Sequence, residues 1–190
     1  MKNRIAIFAS GSGSNAEKII QHFANHPSIE VAVVLSNKAD AFVLERAKKF
    51  SIPSEVFNRE EFRDPSFPEV LHKYQVTHIV LAGFLWLIPD YLVKNYPDRI
   101  VNIHPALLPK YGGKGMYGAR VHEAVKLAGE TETGITIHLV NEHYDEGAVL
   151  FQASCPIGSE YSPDEIANCV HALEHKHYPE VIEKWIAGKL

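Results

Sequence analysis

The chain has 190 residues, a length that fits one domain over residues 1–190 and allows a sizeable apolar core. Hydrophobic residues make up 46% of the sequence and charged residues 22%, which excludes a disordered or fibrous protein. The formal net charge of -4 gives no basic field over the molecule, so composition provides no support for a nucleic-acid partner and favours small ligands.

The N-terminal sequence and the two cysteines predict a cytoplasmic protein. After Arg4 only five apolar residues precede Ser10, too few for a signal-peptide core, and no apolar run approaches the length of a membrane span. Cys155 and Cys169 lack C-x-x-C spacing, so we expect buried free thiols, with no disulfide framework and no thiolate zinc site. His171 and His175 can share one helical face, but no H-E-x-x-H accompanies them and we predict no metal.

Strands and helices alternate through the first half of the chain. Residues 4–9 predict a buried strand, which a glycine-rich turn at 10–15 joins to a helix containing Ile19, Ile20 and Phe23. Further elements are predicted in the order strand 31–35, helix 41–50, strand 54–57, helix 67–74, strand 79–82 and helix 89–95. This alternation predicts a Rossmann-like α/β fold with a mostly parallel, twisted sheet flanked by helices.

The second half of the chain changes this pattern. Strand 100–104 is followed by a proline- and glycine-rich loop, 105–118, which we expect to bind a ligand or to move, and by a helix at 119–128. Strands at 133–140 and 149–156 flank a polar loop and can pair as a hairpin, so the C-terminal part of the sheet is predicted to be mixed. A long helix should start after Ser162 and extend towards Trp185, with Pro179 bending or breaking it.

Asn102, His104 and Asp145 are the strongest candidates for chemistry. Asn102 and His104 lie two residues apart on a strand and therefore point to the same face. An amide and an imidazole so placed can hold a developing oxyanion, while a carboxylate tunes the imidazole. Each residue taken alone is more often a turn cap or a satisfied polar side chain. Their combination at a strand end indicates acyl transfer.

The turn from Gly11 to Asn15 suits an anion. Glycine lets the backbone approach a phosphate, and the following helix offers unpaired N–H groups at its positive end. Ala16 stands where a dinucleotide-binding turn has its third glycine, and the lysine of a P-loop is missing. A flexible polar turn remains the alternative.

Five segments together resemble the folate-dependent phosphoribosylglycinamide formyltransferases. They are Gly11-Ser12-Gly13-Ser14-Asn15, residues 36–41, Ala82-Gly83-Phe84-Leu85, residues 102–109 with the pattern Asn-Ile-His-Pro-x-Leu-Leu-Pro, and Asp145 before Gly147. The resemblance spans essentially the whole chain. It implies the single-domain formyltransferase fold and transfer of the formyl group of 10-formyltetrahydrofolate to the amino group of glycinamide ribonucleotide, in purine biosynthesis.

The same resemblance implies roles for individual residues. Asn102, His104 and Asp145 match the family's catalytic positions. Glycinamide ribonucleotide is expected on Gly13, Ser14, Asn15, Lys110 and Glu174. The folate is expected beside Leu85, Trp86, Leu87, Asn102, Val140, Asn141, Glu142, His143 and Tyr144. Many relatives have Met-Arg where this chain has Leu85-Trp86, so an arginine contact with the folate is not carried over.

Other functions stay open at this point. Formyltetrahydrofolate deformylase and methionyl-tRNA formyltransferase share the Asn-His-Asp core. The deformylase usually has an additional N-terminal domain and the tRNA enzyme a C-terminal barrel, whereas the first strand here starts at Arg4 and the sequence stops at Leu190. A non-catalytic nucleotide-binding module would explain the glycine-rich turn alone. The expected partners are two small molecules, with no nucleic acid and no membrane, and the oligomeric state is undetermined.

Overall fold

The computed structural model describes residues 2–190 and arranges them as strands and helices in near-regular alternation. The strands are β1 (Asn3–Phe8), β2 (Ile29–Ser36), β3 (Ser54–Val56), β4 (His78–Leu81), β5 (Ile100–His104), β6 (Glu132–Leu139) and β7 (Val149–Pro156). The helices are α1 (Ser14–Phe23), α2 (Val43–Lys49), α3 (Arg59–Arg63), α4 (Pro68–Lys73), α5 (Asp90–Asn95), α6 (Ala119–Leu127) and α7 (Pro163–Ile186).

All seven strands of the described chain form one sheet in the order β3-β2-β1-β4-β5-β6-β7. The first five strands are parallel, β6 runs antiparallel to β5, and β7 runs antiparallel to β6. The predicted mostly parallel sheet with a mixed C-terminal part is therefore confirmed. The strand order reverses between β1 and β4, and ligands of open α/β sheets bind outside the carboxyl ends of the strands at such a switch point.

Strand β1 shows how the sequence builds a core on both faces of the sheet. Its residues are apolar without interruption from Ile5 to Phe8, and successive side chains point to opposite faces. Ile5 and Ile7 pack into the cluster that includes α1 and α7, whereas Ala6 and Phe8 pack into the cluster that includes α3, α4 and α5. The sheet is thus buried between two helical layers.

Two elements differ from the sequence prediction. Helix α3 was not predicted, although Asn58 and Glu61 form a capping box at its start. Pro179 was predicted to bend or break α7, and the break is wrong, because α7 is one continuous helix through this residue. Tyr178 and Pro179 are both buried, and the Tyr178 hydroxyl donates to the carbonyl of Leu81 in the sheet at 2.8 Å. Packing of the helix therefore outweighs the hydrogen bond that proline cannot make.

Within residues 2–190, no helix combines the length and the apolar character needed to cross a lipid bilayer.

Candidate active site

A cleft of about 520 Å³ opens at the carboxyl ends of β1, β4 and β5. Ser10, two residues after the end of β1, connects the chain segments on the two sides of the switch point. Its N–H donates to the Gly83 carbonyl at 3.0 Å, and its hydroxyl accepts from the Leu85 N–H at 3.1 Å and donates to Asn37 at 2.7 Å. The backbone after β4 is thereby held against the backbone after β1, so the two walls of the cleft keep a fixed separation.

Asn102 lies in the cleft with His138, its antiparallel partner on β6. The Asn102 amide donates to Nε2 of His138 at 3.1 Å, and Nδ1 of His138 donates to the Leu139 carbonyl at 2.8 Å. With Nδ1 donating to the Leu139 carbonyl, Nε2 is the ring atom that accepts from the Asn102 amide. This pair orients the Asn102 amide and leaves its second N–H for a ligand.

His104 is held by the loop after β5 and by Asp145. Its Nε2 donates to the Tyr111 carbonyl at 2.7 Å, and its Nδ1 lies 3.5 Å from Asp145 Oδ2. The side chain is only 4% exposed, and this burial lowers the pKa of His104 more than Asp145 and the Tyr111 carbonyl raise it. His104 is therefore neutral near pH 7, with Nδ1 as its free acceptor.

Asp145 lies in the loop between β6 and β7 and joins three parts of the site. Its backbone has φ +57°, a conformation that Asp tolerates better than most residues, and its Oδ2 accepts from the Gly113 N–H at 2.9 Å. Burial alone would raise the pKa of Asp145, but the contacts with His138, His104 and Gly113 outweigh it and lower the pKa. Asp145 is therefore the permanent negative charge beside the two imidazoles.

The glycine-rich turn and α1 form the end of the cleft next to α7. Gly13 is the N-cap of α1 with φ +73°, and an added Cβ there would lie 2.4 Å from Cγ2 of Val43. Gly13 is thus required both by the left-handed backbone and by the packing of α2. Arg46 of α2 donates to the Ser12 carbonyl at 2.7 Å and pairs with Glu17. These contacts leave the first N–H groups of α1 facing the cleft, where an anion can bind.

Glu174 of α7 reaches the same end of the cleft. The Asn15 amide donates to Glu174 Oε2 at 2.9 Å, while the Asn15 Oδ1 atom is buried and has no partner. Glu174 is only 6% exposed, and burial raises the pKa of its carboxyl although the contacts with Asn15 and His171 act in the opposite direction. The Asn15–Glu174 pair is a polar group in an otherwise buried position, as expected for a ligand-binding contact.

The opposite end of the cleft has an apolar wall. Leu85 and Leu87 remain 40% and 39% exposed, and Trp86 lies between them with the Arg59 guanidinium 4.8 Å from its ring centre. Val140 and Tyr144 line the facing side. Large apolar side chains exposed in a cleft suit a flat, mostly apolar ligand ring.

Most of the predicted binding residues meet in this one cleft, but three lie outside its lining. Lys110 points away from it and pairs with Glu130 at 2.8 Å. Asn141 and Glu142 belong to the loop after β6 but do not line the cleft. Their roles in substrate or folate binding stay predictions.

Three histidines of the cleft were not singled out as site residues from the sequence. His138 lies in the mostly buried strand β6 two residues after Thr136, and two polar side chains on one buried face indicate that this face meets a site. His122 of α6 is buried, its Nδ1 has no partner, and burial lowers its pKa to about 4. His171 lies 6.4 Å from the His122 ring centre and 6.3 Å from that of His175, which confirms the shared helical face predicted for His171 and His175. Across the described residues no three potential ligands of a metal ion group together.

An open, mostly parallel sheet with an amide and an imidazole near the carboxyl end of β5 and a carboxylate beside them defines an α/β group-transfer enzyme. The chain belongs to the formyl transferase family, whose model matches residues 3–182.

Two curated relatives and one solved structure show how far this similarity extends. The chloroplastic phosphoribosylglycinamide formyltransferase of Arabidopsis thaliana is 42% identical over 95% of this chain and 64% of its own length. The phosphoribosylglycinamide formyltransferase of Haemophilus influenzae is 38% identical over 98% of this chain and 89% of its own length. The crystal structure of glycinamide ribonucleotide transformylase 1 from Symbiobacterium toebii has a TM-score of 0.90 at 30% identity and covers 98% of this chain and 89% of that chain. The chain therefore spans less than two thirds of the Arabidopsis protein.

Proposed function

We propose that this protein transfers the formyl group of 10-formyltetrahydrofolate to the amino group of glycinamide ribonucleotide, a step of purine biosynthesis. The observation that supports it most directly is the grouping of Asn102, His104 and Asp145 between an anion-binding turn and an apolar wall in one cleft. The names of the relatives in the same family point to the same reaction.

In this proposal the acceptor, glycinamide ribonucleotide, binds at the glycine-rich turn. Its phosphate needs N–H donors and a positive field, which Gly13, Ser14 and Asn15 supply at the start of α1. Glu174 then accepts hydrogen bonds from polar groups of the same ligand. Binding of the phosphate at a fixed point holds the amine near the formyl carbon, so that attack becomes effectively intramolecular.

The donor, 10-formyltetrahydrofolate, binds at the other end of the cleft in this proposal. The wall of Leu85, Trp86 and Leu87 and the facing side chains of Val140 and Tyr144 fit the flat pterin ring of a reduced folate. When bound there, the donor supplies a formyl carbon attached to a nitrogen leaving group. No nucleophile from the protein is required, because the acceptor carries its own amine.

Asn102 stabilises the charge that develops during attack. Addition of an amine to a formyl carbon creates a tetrahedral oxyanion, and the free N–H of Asn102 can donate to it. His138 already occupies the other N–H, so the amide does not have to reorient as charge appears.

His104 moves the proton. The lowered pKa of His104 makes the neutral ring its resting state. Neutral His104 accepts a proton at Nδ1 from the attacking amine, and Asp145 stabilises the imidazolium that forms. The imidazolium then returns the proton to the leaving nitrogen. His104 therefore acts first as base and then as acid.

Initial rates with purified protein test the assignment. Glycinamide ribonucleotide, its dephosphorylated analogue, charged initiator tRNA and water alone should be compared as formyl acceptors from 10-formyltetrahydrofolate. The proposal predicts that the nucleotide is much the best acceptor, because the turn binds its phosphate. Release of formate to water at the same rate would support a deformylase, and a preference for the tRNA would support the tRNA enzyme. Binding of both ligands without turnover would support a non-catalytic module.

A further inference from the structure

The two cysteines of the chain face each other across the contact between β7 and α7. Cys155 lies near the end of β7 and Cys169 in the second turn of α7, and Cys169 is near enough to raise the pKa of the Cys155 thiol. Both are free and half-buried. Neither contributes to the cleft lining, so the proposed transfer reaction does not use them.

The register of the strand against the helix explains why the thiols meet. Phe151 and Cys155 lie four residues apart on β7 and so share one face of the sheet. His177 and Cys169 lie eight residues apart on α7, just over two turns, so both fall within one stripe of the helix roughly 100° wide. The rings of Phe151 and His177 pack with their centres 5.0 Å apart.

Distances along the two elements agree with this arrangement. Four residues of a strand rise roughly 13 Å, and eight residues of a helix rise roughly 12 Å. Moving from Phe151 to Cys155 along β7 therefore covers about the same length as moving back from His177 to Cys169 along α7. The aromatic contact at one end fixes the thiol contact at the other.

We propose that Cys155 and Cys169 form a reversible disulfide that joins β7 to the N-terminal half of α7 when the protein meets a small-molecule disulfide such as oxidised glutathione. The thiolate of Cys169 attacks one sulfur of the oxidant and releases one glutathione thiolate. Cys155 then loses its proton to solvent, attacks the Cys169 sulfur of the mixed disulfide, and releases the second glutathione. Two protein thiols are oxidised and one oxidant molecule is reduced to two thiols.

The order of attack follows from the environment of Cys155. Burial and the neighbouring Cys169 raise the pKa of Cys155 to about 11, so it is almost entirely protonated near neutral pH and attacks slowly. Cys155 is therefore the second thiol to react. Its proximity to Cys169 compensates for its low reactivity, because the second step is intramolecular.

The link also has an expected effect on stability. It closes a short loop between the end of β7 and the start of α7, and so restricts the unfolded chain. Loops on the order of 15 residues correspond to a rise in Tm on the order of 10 °C for a protein of this size. The helix that holds His171 and Glu174 in the cleft is the one that becomes fixed to the sheet.

The folded, reduced protein should be incubated with oxidised glutathione and analysed by intact mass, peptide mapping and free-thiol titration. The expected product is a monomer that has lost two hydrogen atoms and contains a Cys155–Cys169 peptide, with a raised Tm that dithiothreitol reverses. Two free thiols after prolonged incubation, stable glutathione adducts on either cysteine, or a disulfide between two chains would overturn the proposal.

A matched variant separates geometry from general reactivity. Ser154→Cys combined with Cys155→Ser moves the thiol by one residue to the opposite, exposed face of β7. This variant should form no bond with Cys169 and should accumulate the glutathione adduct instead. An internal disulfide formed as fast as in the unaltered protein would show that the register of β7 on α7 is not the cause.

Discussion

The Nδ1 atom of His104 lies 3.5 Å from Oδ2 of Asp145, at a site where only 4% of the histidine is exposed. Burial favours the neutral ring and Asp145 favours the charged ring, and burial is the larger effect in the free protein. The carboxylate therefore does not keep His104 protonated at rest. It reduces the cost of protonating His104 when a proton arrives from the attacking amine.

Asp145→Asn removes this attraction and should lower the pKa of His104 further. The histidine then becomes a weaker base, and kcat should fall by an amount up to the 10²- to 10⁴-fold range of general acid–base catalysis. An NMR titration of His104 and kcat against pH measure the two effects. Glu146→Gln is the matched control, because it removes a carboxylate one residue away that does not line the cleft. An unchanged His104 titration in Asp145→Asn would mean that Asp145 acts only through the Gly113 loop.

The direction in which kcat/KM changes with pH shows whether His104 in the free enzyme is a neutral base or a protonated acid. Because the pKa of His104 is below the ordinary 6.5, kcat/KM should rise with pH below 6.5 and then level off. Asp145→Asn should shift this rise to lower pH. A rate that falls as pH rises through the His104 titration would instead require the imidazolium in the free enzyme and would contradict the proposed proton path.

Asn102→Ala removes the proposed oxyanion donor while the strand remains. The expected loss in kcat is on the order of 10²–10³, the usual effect of one such donor, with a much smaller change in ligand affinity. Steady-state kinetics and circular dichroism provide the two measurements. Asn95→Ala, which removes an amide that donates to Tyr91 outside the cleft, should leave kcat unchanged. Near-normal turnover in a folded Asn102→Ala protein would exclude Asn102 from the oxyanion role.

Gly11 and Gly13 should respond differently to an added side chain. Gly13→Val must place a Cβ 2.4 Å from Val43 in a left-handed backbone, so the fold should lose about 1–2 kcal/mol from the backbone and ~1–3 kcal/mol from overpacking. Gly11→Val meets nothing within 4 Å of its Cβ and lines the cleft, so it should raise the KM of the phosphorylated acceptor without lowering Tm. Thermal unfolding and KM for both substrates test this. Equal loss of acceptor and folate binding in Gly11→Val would contradict phosphate binding at the turn.

Glu174→Ala should mainly weaken use of the acceptor. The variant removes a buried carboxylate and leaves the Asn15 amide without its partner, so kcat/KM should fall by roughly 10- to 100-fold, as for loss of a hydrogen bond to a charged group. The KM of the folate should change little. Glu180→Ala, on the exposed side of the same helix, is the control. A change confined to the KM of the folate would mean that Glu174 contacts the folate and not the acceptor.

Acid should destabilise the protein through His78. Burial, followed by Arg99, lowers its pKa from 6.5 to about 4, so between these values the folded ring stays neutral while the unfolded ring binds a proton. Stability is therefore full above pH 6.5 and falls as pH decreases towards 4. Between pH 7 and pH 5 the free energy of unfolding should fall by about 1 kcal/mol less in His78→Gln than in the unaltered protein. This figure allows for the partial exposure of the ring. Urea unfolding at both pH values measures it, with the exposed His72→Gln as control.

The sequence by itself determined the order and type of most elements. Apolar runs such as Ile5 to Phe8 have no polar residue to expose, so they must be buried, and their shortness and the glycine-rich turn that follows favour a strand. Strands β5 and β7 were predicted with their exact bounds. The pair Asn102 and His104 could be predicted because a strand repeats every two residues. Asp145 could be proposed as the carboxylate that tunes His104, but only the family resemblance supported that pairing, and it alone supplied Glu174, because local periodicity connects neither residue to the pair.

Only the tertiary structure decided which distant residues meet and with what charge. His138 faces Asn102 because β6 pairs with β5 in one particular register, and Cys155 meets Cys169 because α7 packs on β7 in another. The neutral state of His104 depends on burial, which no local pattern encodes. Continuity of α7 through Pro179 likewise reflects packing against the sheet, since long-range burial can outweigh a local helix-breaking preference.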